Sequence, residues 1–234
     1  MDQQQPVQTV FPAVRAIVFD MDGTLIDSLP AHLQAWQVFA QRHGLRIEDP
    51  VAFLARINGR NGRECVSAMF GREFSDADAL PLNNEKEALY RELFAADFRP
   101  VPGVAAFAAQ AAARGLRIGV GSASDRHNLA FALEQLALDP APQAVVGGDE
   151  GLPGKPDPAI FLAVAQRLGV EPAHCLVFED APYGIEAARR AGMQAVAVCT
   201  THTAQELAGP HVRAAIADYR ELIANLFLEK LDVA

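Results

Sequence analysis

Short apolar runs recur through the second half of the chain and alternate with longer stretches of helical spacing. The runs are Leu116 to Val120, Ala144 to Val146, Cys175 to Phe178, Ala195 to Cys199 and Ala214 to Ala217. Between them lie Val104 to Arg114, Asn128 to Leu136, Pro158 to Leu168 and Gly184 to Ala191, amphipathic and rich in alanine. Compact apolar runs bounded by turn residues suit buried strands, and strands alternating with helices predict a parallel sheet covered on both faces. One more such run, Ala16 to Phe19, stands far upstream.

From Phe19 to Leu116 the chain shows helical period and almost no strand signal. Helices are predicted near Pro30 to Arg42, Pro50 to Ile57, Gly62 to Phe70 and Glu85 to Ala96. The chain then returns to the sheet at Pro100-Val101-Pro102-Gly103, where prolines and a glycine suit a hinge. Two units are expected: residues 1–28 and 99–234 as an α/β core, and residues 29–98 as an inserted helical domain. The competing arrangement packs the same helices onto the sheet within one domain.

Composition narrows the class. The chain has 234 residues, of which 50% are hydrophobic and 21% charged, enough to bury a full core as a soluble globular protein. A net charge of −9 leaves no basic stripe for nucleic acid or an anionic membrane, so neither is expected as a partner. The opening Met-Asp-Gln-Gln-Gln-Pro lacks a basic start and an apolar core, and no later stretch stays apolar long enough to span a bilayer. A cytoplasmic location follows as an expectation. Cys65, Cys175 and Cys199 are odd in number and widely spaced, against a disulfide framework or a zinc site; Cys175 and Cys199 read as small buried residues.

The candidate chemistry gathers at predicted strand ends. Residues 17 to 28 read Ile-Val-Phe-Asp-Met-Asp-Gly-Thr-Leu-Ile-Asp-Ser, so Asp20 and Asp22 emerge where the first strand stops at a glycine turn. Ligands of open α/β sheets bind at the carboxyl ends of strands. Gly121-Ser122-Ala123-Ser124 follows another strand and precedes a helix, where a hydroxyl and free N–H groups form a phosphate seat, although Ser122 or Ser124 could equally cap the helix. Lys155, in Gly154-Lys155-Pro156-Asp157-Pro158, is a compact point charge suited to a phosphoryl group. Glu179 and Asp180 end a third strand ahead of Gly184, and hard carboxylate oxygens of this kind suit Mg²⁺; Asp180 would otherwise serve as a helix cap.

Taken in order, these segments resemble the four motifs of the haloacid dehalogenase superfamily, from about Ala16 to Met193, and the first motif matches completely from Asp20 to Thr24. The resemblance implies an α/β, Rossmann-like doubly wound parallel sheet core with an inserted α-helical cap. It also implies roles: Asp20 attacks phosphorus to form an aspartyl-phosphate, Asp22 is the general acid and base, and Ser122 and Lys155 hold the phosphoryl group. Asp20, the backbone carbonyl of Asp22, and Asp180 would hold Mg²⁺, with Glu179 supporting the shell. The chemistry is sound, since covalent catalysis by a carboxylate splits one difficult transfer into two easier ones and a neighbouring carboxyl can serve both.

Within the superfamily, an all-helical insertion after the first motif resembles the group of β-phosphoglucomutase and small sugar phosphatases. His32, followed by Ala35-Trp36, matches a histidine of that group; Lys86, one turn before Tyr90, matches its cap lysine. The run from Asn58 to Glu64, which contains Arg60 and Arg63, resembles its specificity loop in a slightly longer form. Arg63 would then grip the far end of the substrate, and Thr24 and Ala123 complete the expected substrate contacts.

The implied activity is that of a Mg²⁺-dependent phosphatase for a small phosphorylated metabolite, monomeric or weakly dimeric, with a phosphomutase of the β-phosphoglucomutase type as the alternative. A phospho-accepting signalling module is opposed by the large insertion and by Asp22, which would speed loss of the phosphoryl group. Dehalogenase chemistry is disfavoured because that subgroup lacks the second aspartate.

Overall fold

The computed structural model describes residues 12–57 and 62–233. Six parallel strands form one sheet in the order β3-β2-β1-β4-β5-β6. They are β1 (Ala16–Phe19), β2 (Arg117–Gly121), β3 (Ala144–Val146), β4 (Cys175–Glu179), β5 (Gln194–Val198) and β6 (Val212–Ile216). The sheet is doubly wound, and its strand order reverses direction beside β1, the place where such sheets open a crevice for ligands.

Each central strand is buried on both sides, so successive side chains feed two different cores. Ile17 and Phe19 point into one with α5 (Val104–Ala113), α6 (Arg126–Leu136) and α9 (Tyr219–Ala224). Ala16 and Val18 point into the other, with α7 (Ala159–Leu168) and α8 (Pro182–Arg190). The first core is aromatic directly beneath the site: Phe19 and Phe178 lie 5.1 Å apart, Phe107 and Phe178 5.2 Å, and Phe178 and Tyr219 5.5 Å. Each fully buried ring of this size contributes about 1.5–3 kcal/mol. The strand ends are thereby held against a stiff floor.

The helical insertion comprises α1 (Leu29–Arg42), α2 (Pro50–Ile57), α3 (Gly62–Phe70) and α4 (Asp76–Ala96). Its centre is α1 against α4, where Trp36, Phe39, Leu89, Tyr90 and Phe94 are buried. Helix α4 begins at Asp76, well before the expected start at Glu85. Ser75 caps it by accepting from Asp78 N at 3.2 Å, and Asp76 and Asp78 sit favourably in the first turn. Pro81 lies inside the helix, where the missing N–H costs about 3 kcal/mol; packing against α1 and α3 outweighs that local preference.

The two chain segments that join the insertion to the sheet run side by side. Asp27 N donates to Arg99 O at 2.8 Å and Val101 N to Leu25 O at 2.9 Å. At the far end of the chain, α9 and α10 (Phe227–Lys230), which the apolar pattern does not announce, close over the first core. Cys65 and Cys175 are buried, whereas Cys199, just beyond β5, is only half-buried. Among the described residues no helix is long and apolar enough to cross a membrane.

Candidate active site

Register explains why two distant carboxylates meet. In the β1/β4 ladder Phe19 is level with Phe178, and Asp20 N donates to Phe178 O at 3.0 Å, so the next residues, Asp20 and Glu179, leave the sheet side by side. Lys155, in the turn before α7, reaches both, with Nζ 2.5 Å from Asp20 Oδ1 and 2.8 Å from Glu179 Oε2. Asp180 completes an acidic cluster: Asp20, Glu179 and Asp180 each offer an oxygen within 4.8 Å of the others.

Two glycines make this approach possible. Gly23 has φ +82°, and a Cβ there would overlap the carboxylate of Asp180; a Cβ on Gly184 would overlap that of Glu179. Both positions need a residue without a side chain, one for conformation and both for space.

Three buried carboxylates face one ammonium, so ionising all three would leave two negative charges uncompensated. Burial pushes Asp20 up to about 8, with Glu179 adding to the rise and Lys155 opposing it. Asp180 is pushed up to about 7 by burial and by the Asp20 charge. Burial likewise raises Glu179, while for Lys155 the two neighbouring carboxylates outweigh burial and hold the ammonium form well above its usual range. A divalent cation is the group that would cancel the remaining charge, and an all-oxygen donor set with few protein ligands suits Mg²⁺.

Asp22 is separated from this cluster. Its Oδ1 accepts from Ser28 Oγ at 2.6 Å and its Oδ2 from Ser124 Oγ at 2.6 Å, with His32 Nε2 3.6 Å from Oδ1. Burial alone would raise its pKa, but His32 and the two hydroxyls hold it down at about 2. His32 in turn stacks on Tyr90, with ring centroids 3.8 Å apart and planes 1° from parallel. Lys86, almost fully buried, approaches His32 Nδ1 at 2.8 Å and Glu87 Oε1 at 2.8 Å. Glu87 also accepts from Asn128 Nδ2 at 2.7 Å, and Arg91 donates to Asn128 Oδ1 at 2.7 Å, which ties α4 to α6.

The remaining expected residues are placed as follows. Ser122 is buried at the end of β2, where its Oγ accepts from Ser124 N at 3.1 Å. Neither serine caps α6; Asp125 does, accepting from His127 N and Asn128 N. Asp180 is not a cap either, since Ala181 holds that position in α8. Ala123 is exposed at the same loop. Thr24 is fully buried, with Oγ1 donating to Asp180 Oδ1 at 3.1 Å. Arg63 Nε is 3.1 Å from Asp76 Oδ1, and its Nη1 is 3.7 Å from Glu73 Oε2. Asn58 to Asn61, with Arg60, lie outside the described residues.

Sequence reasoning missed Ser28, Thr201, Glu87 and Asn128. Thr201 alone had a usable signal, since it lies just beyond the carboxyl end of β5, on the edge of the sheet that binds ligands.

Known proteins resemble this chain in sequence and in fold. Residues 14–192 match the family model of haloacid dehalogenase-like hydrolases. The chain is 36% identical over 182 residues to a fructose-1-phosphate phosphatase of Escherichia coli K12, covering 78% of this chain and 95% of that protein. It is 32% identical over 191 residues to a β-phosphoglucomutase of Bacillus subtilis, covering 79% and 83% of the two chains. A family IA hydrolase of Entamoeba histolytica, solved as a crystal structure, superposes with a TM-score of 0.81 at 28% identity, covering 89% of this chain and 95% of the other.

Proposed function

The chain belongs to the haloacid dehalogenase-like hydrolases, and on that footing we propose that it is a Mg²⁺-dependent phosphatase that cleaves monophosphate esters of small sugars or polyols through an aspartyl-phosphate. The observation that carries this reading is Asp20, at the end of the central strand, bonded to Lys155 and clustered with Glu179 and Asp180.

Asp20 is the nucleophile. Its Oδ attacks phosphorus in line with the ester oxygen, so a P–O bond to the carboxylate forms as the bond to the sugar oxygen breaks. Asp22 gives the departing oxygen a proton, then takes one from the water that attacks the aspartyl-phosphate and regenerates Asp20. Held by Ser28 and Ser124, Asp22 is in the ionised form that the second half needs. Its role as acid requires that it leave at least one of these hydroxyls, because each favours the anion. Lys155 offsets the repulsion between carboxylate and phosphate dianion, and Ser122 with the N–H groups of its loop seats the phosphoryl oxygens. Mg²⁺, held by Asp20 and Asp180 with the carbonyl of Asp22 and with Glu179 behind them, would supply the missing positive charge. The helical insertion acts as a cap that excludes bulk water, with His32 addressing Asp22 and Lys86 acting on it through His32.

Phosphate release from a panel of sugar and polyol monophosphates, with ketose 1-phosphates tried first because of the Escherichia coli relative, tests the reading. The wild type releases phosphate in the presence of Mg²⁺ and Asp20→Asn loses essentially all turnover; equal rates in the two would remove Asp20 from its role. The second reading, a phosphomutase, is favoured by the Bacillus subtilis relative. It predicts sugar-phosphate isomerisation, primed by a bisphosphate, with little free phosphate.

A further inference from the structure

Asp180 is held from two sides, and only one of them belongs to the first loop. Thr24 donates to Oδ1 at 3.1 Å, while Thr201 Oγ1 bonds to Oδ2 and also lies 2.8 Å from the Asp180 backbone oxygen. A hydroxyl has one proton to give, and an anionic carboxylate oxygen outcompetes a neutral carbonyl for it. His202 Nδ1 lies 2.9 Å from Thr201 Oγ1 and 3.1 Å from Asp180 O, so a ring N–H there fills the hydroxyl's acceptor side and turns its proton toward Oδ2. The preceding residue works on the opposite wall of the cluster: Thr200 Oγ1 donates to Gly23 O at 2.5 Å. The β5 exit thus grips both Asp180 and the turn that Asp180 packs against.

We infer that Thr201 is a positioning residue of the cation centre: its hydroxyl fixes the rotamer of Asp180 so that the carboxylate faces Asp20 and Glu179. The inference rests on the proposed use of a divalent metal. Hydrogen-bond partners of ligating carboxylates typically contribute about 10–100-fold in metal affinity.

The test is a titration of the full-length, metal-free protein with Mn²⁺, free Mn²⁺ being read by electron paramagnetic resonance without any substrate. Wild type, Thr201→Val, Thr201→Ser and Asp180→Asn are compared, with thermal melting of each metal-free protein as the folding control. Thr201→Val, which keeps shape and loses the hydroxyl, weakens Mn²⁺ binding by about 10–100-fold. Thr201→Ser restores the wild-type Kd, and Asp180→Asn abolishes binding. If Thr201→Val folds poorly, Thr201→Ala carries the same expectation. Wild-type affinity in both the valine and alanine variants, or equal weakening in the serine variant, overturns the assignment while leaving the metal reading intact. Failure of the wild type to bind Mn²⁺, or unchanged binding in Asp180→Asn, overturns the metal reading and the assignment with it.

Discussion

Lys86 Nζ sits 2.8 Å from His32 Nδ1, and this contact decides which ring nitrogen carries the proton beside Asp22. An ammonium has donors only, so Nδ1 accepts and the ring proton resides on Nε2, the atom 3.6 Å from Asp22 Oδ1. Lys86 comes from α4 and Asp22 from the sheet, so the helical insertion sets the electrostatics of a residue it does not contain.

Lys86→Met removes the donor while keeping most of the apolar stem. Acid and base catalysis by one residue contributes about 10²–10⁴-fold, and a misdirected Asp22 loses part of it, so kcat falls by about 10-fold or more. KM moves less, since the phosphoryl-binding residues are untouched. Steady-state kinetics with the best substrate from the panel check this; an unchanged kcat removes Lys86 from its role.

Asp180→Asn removes one of three mutually repelling buried carboxylates. The metal-free variant is therefore more stable than the metal-free wild type by about 1 kcal/mol, which raises the melting temperature by roughly 2–4 °C in a chain of this size. Adding Mg²⁺ raises the melting temperature of the wild type and leaves that of the variant unchanged. Thermal scans with and without a chelator distinguish these outcomes.

Glu87 links the insertion to α6, and its pKa is lowered from the usual 4.5: burial would raise it, but the Lys86 charge, His32 and Asn128 together prevail. A carboxylate with a depressed folded-state pKa contributes stability that is present above its unfolded value and lost as pH falls through the folded one. The melting temperature therefore drops as pH is taken below 4.5. Glu87→Gln is less stable at neutral pH and shows a shallower drop; identical acid profiles for the two proteins refute the link.

Cys175 lies fully buried, and burial pushes its thiol up to about 12. The thiolate is the reactive form, so Cys175 resists aromatic disulfide reagents in the native state and reacts on unfolding. Half-buried Cys199, raised by burial and by Glu221, labels slowly. Mass mapping of the labelled native protein reads both, and rapid native labelling of Cys175 contradicts the fold around β4.

Much of the sheet side of the site was legible because strand ends are legible. A buried apolar run that stops at Asp20 and another that stops before Asp180 leave little choice about where those residues emerge, and parallel pairing then brings Asp20 beside Glu179. Other features depend on facts that no local pattern carries. The early start of α4 was hidden by Pro81, whose cost is offset only by packing against helices far along the chain. The hydroxyl that holds Asp22 was hidden for another reason: Ser28 looks like an ordinary polar residue until the loop after β1 sets it against a carboxylate. The expectation for Arg63 rests on a loop's resemblance to a family segment, and that resemblance says nothing of Glu73 and Asp76, with which Arg63 pairs.

The paired segments at Leu25 to Asp27 and Arg99 to Val101 also fix how the insertion is joined to the sheet. Because the outgoing and returning threads are stitched to each other before the helices begin, the chain joins the insertion to the sheet along one seam, and the bonds of Glu87 and Arg91 to Asn128 clasp it at a second place. The six-stranded scaffold beneath keeps its own pairing regardless of what is sewn there.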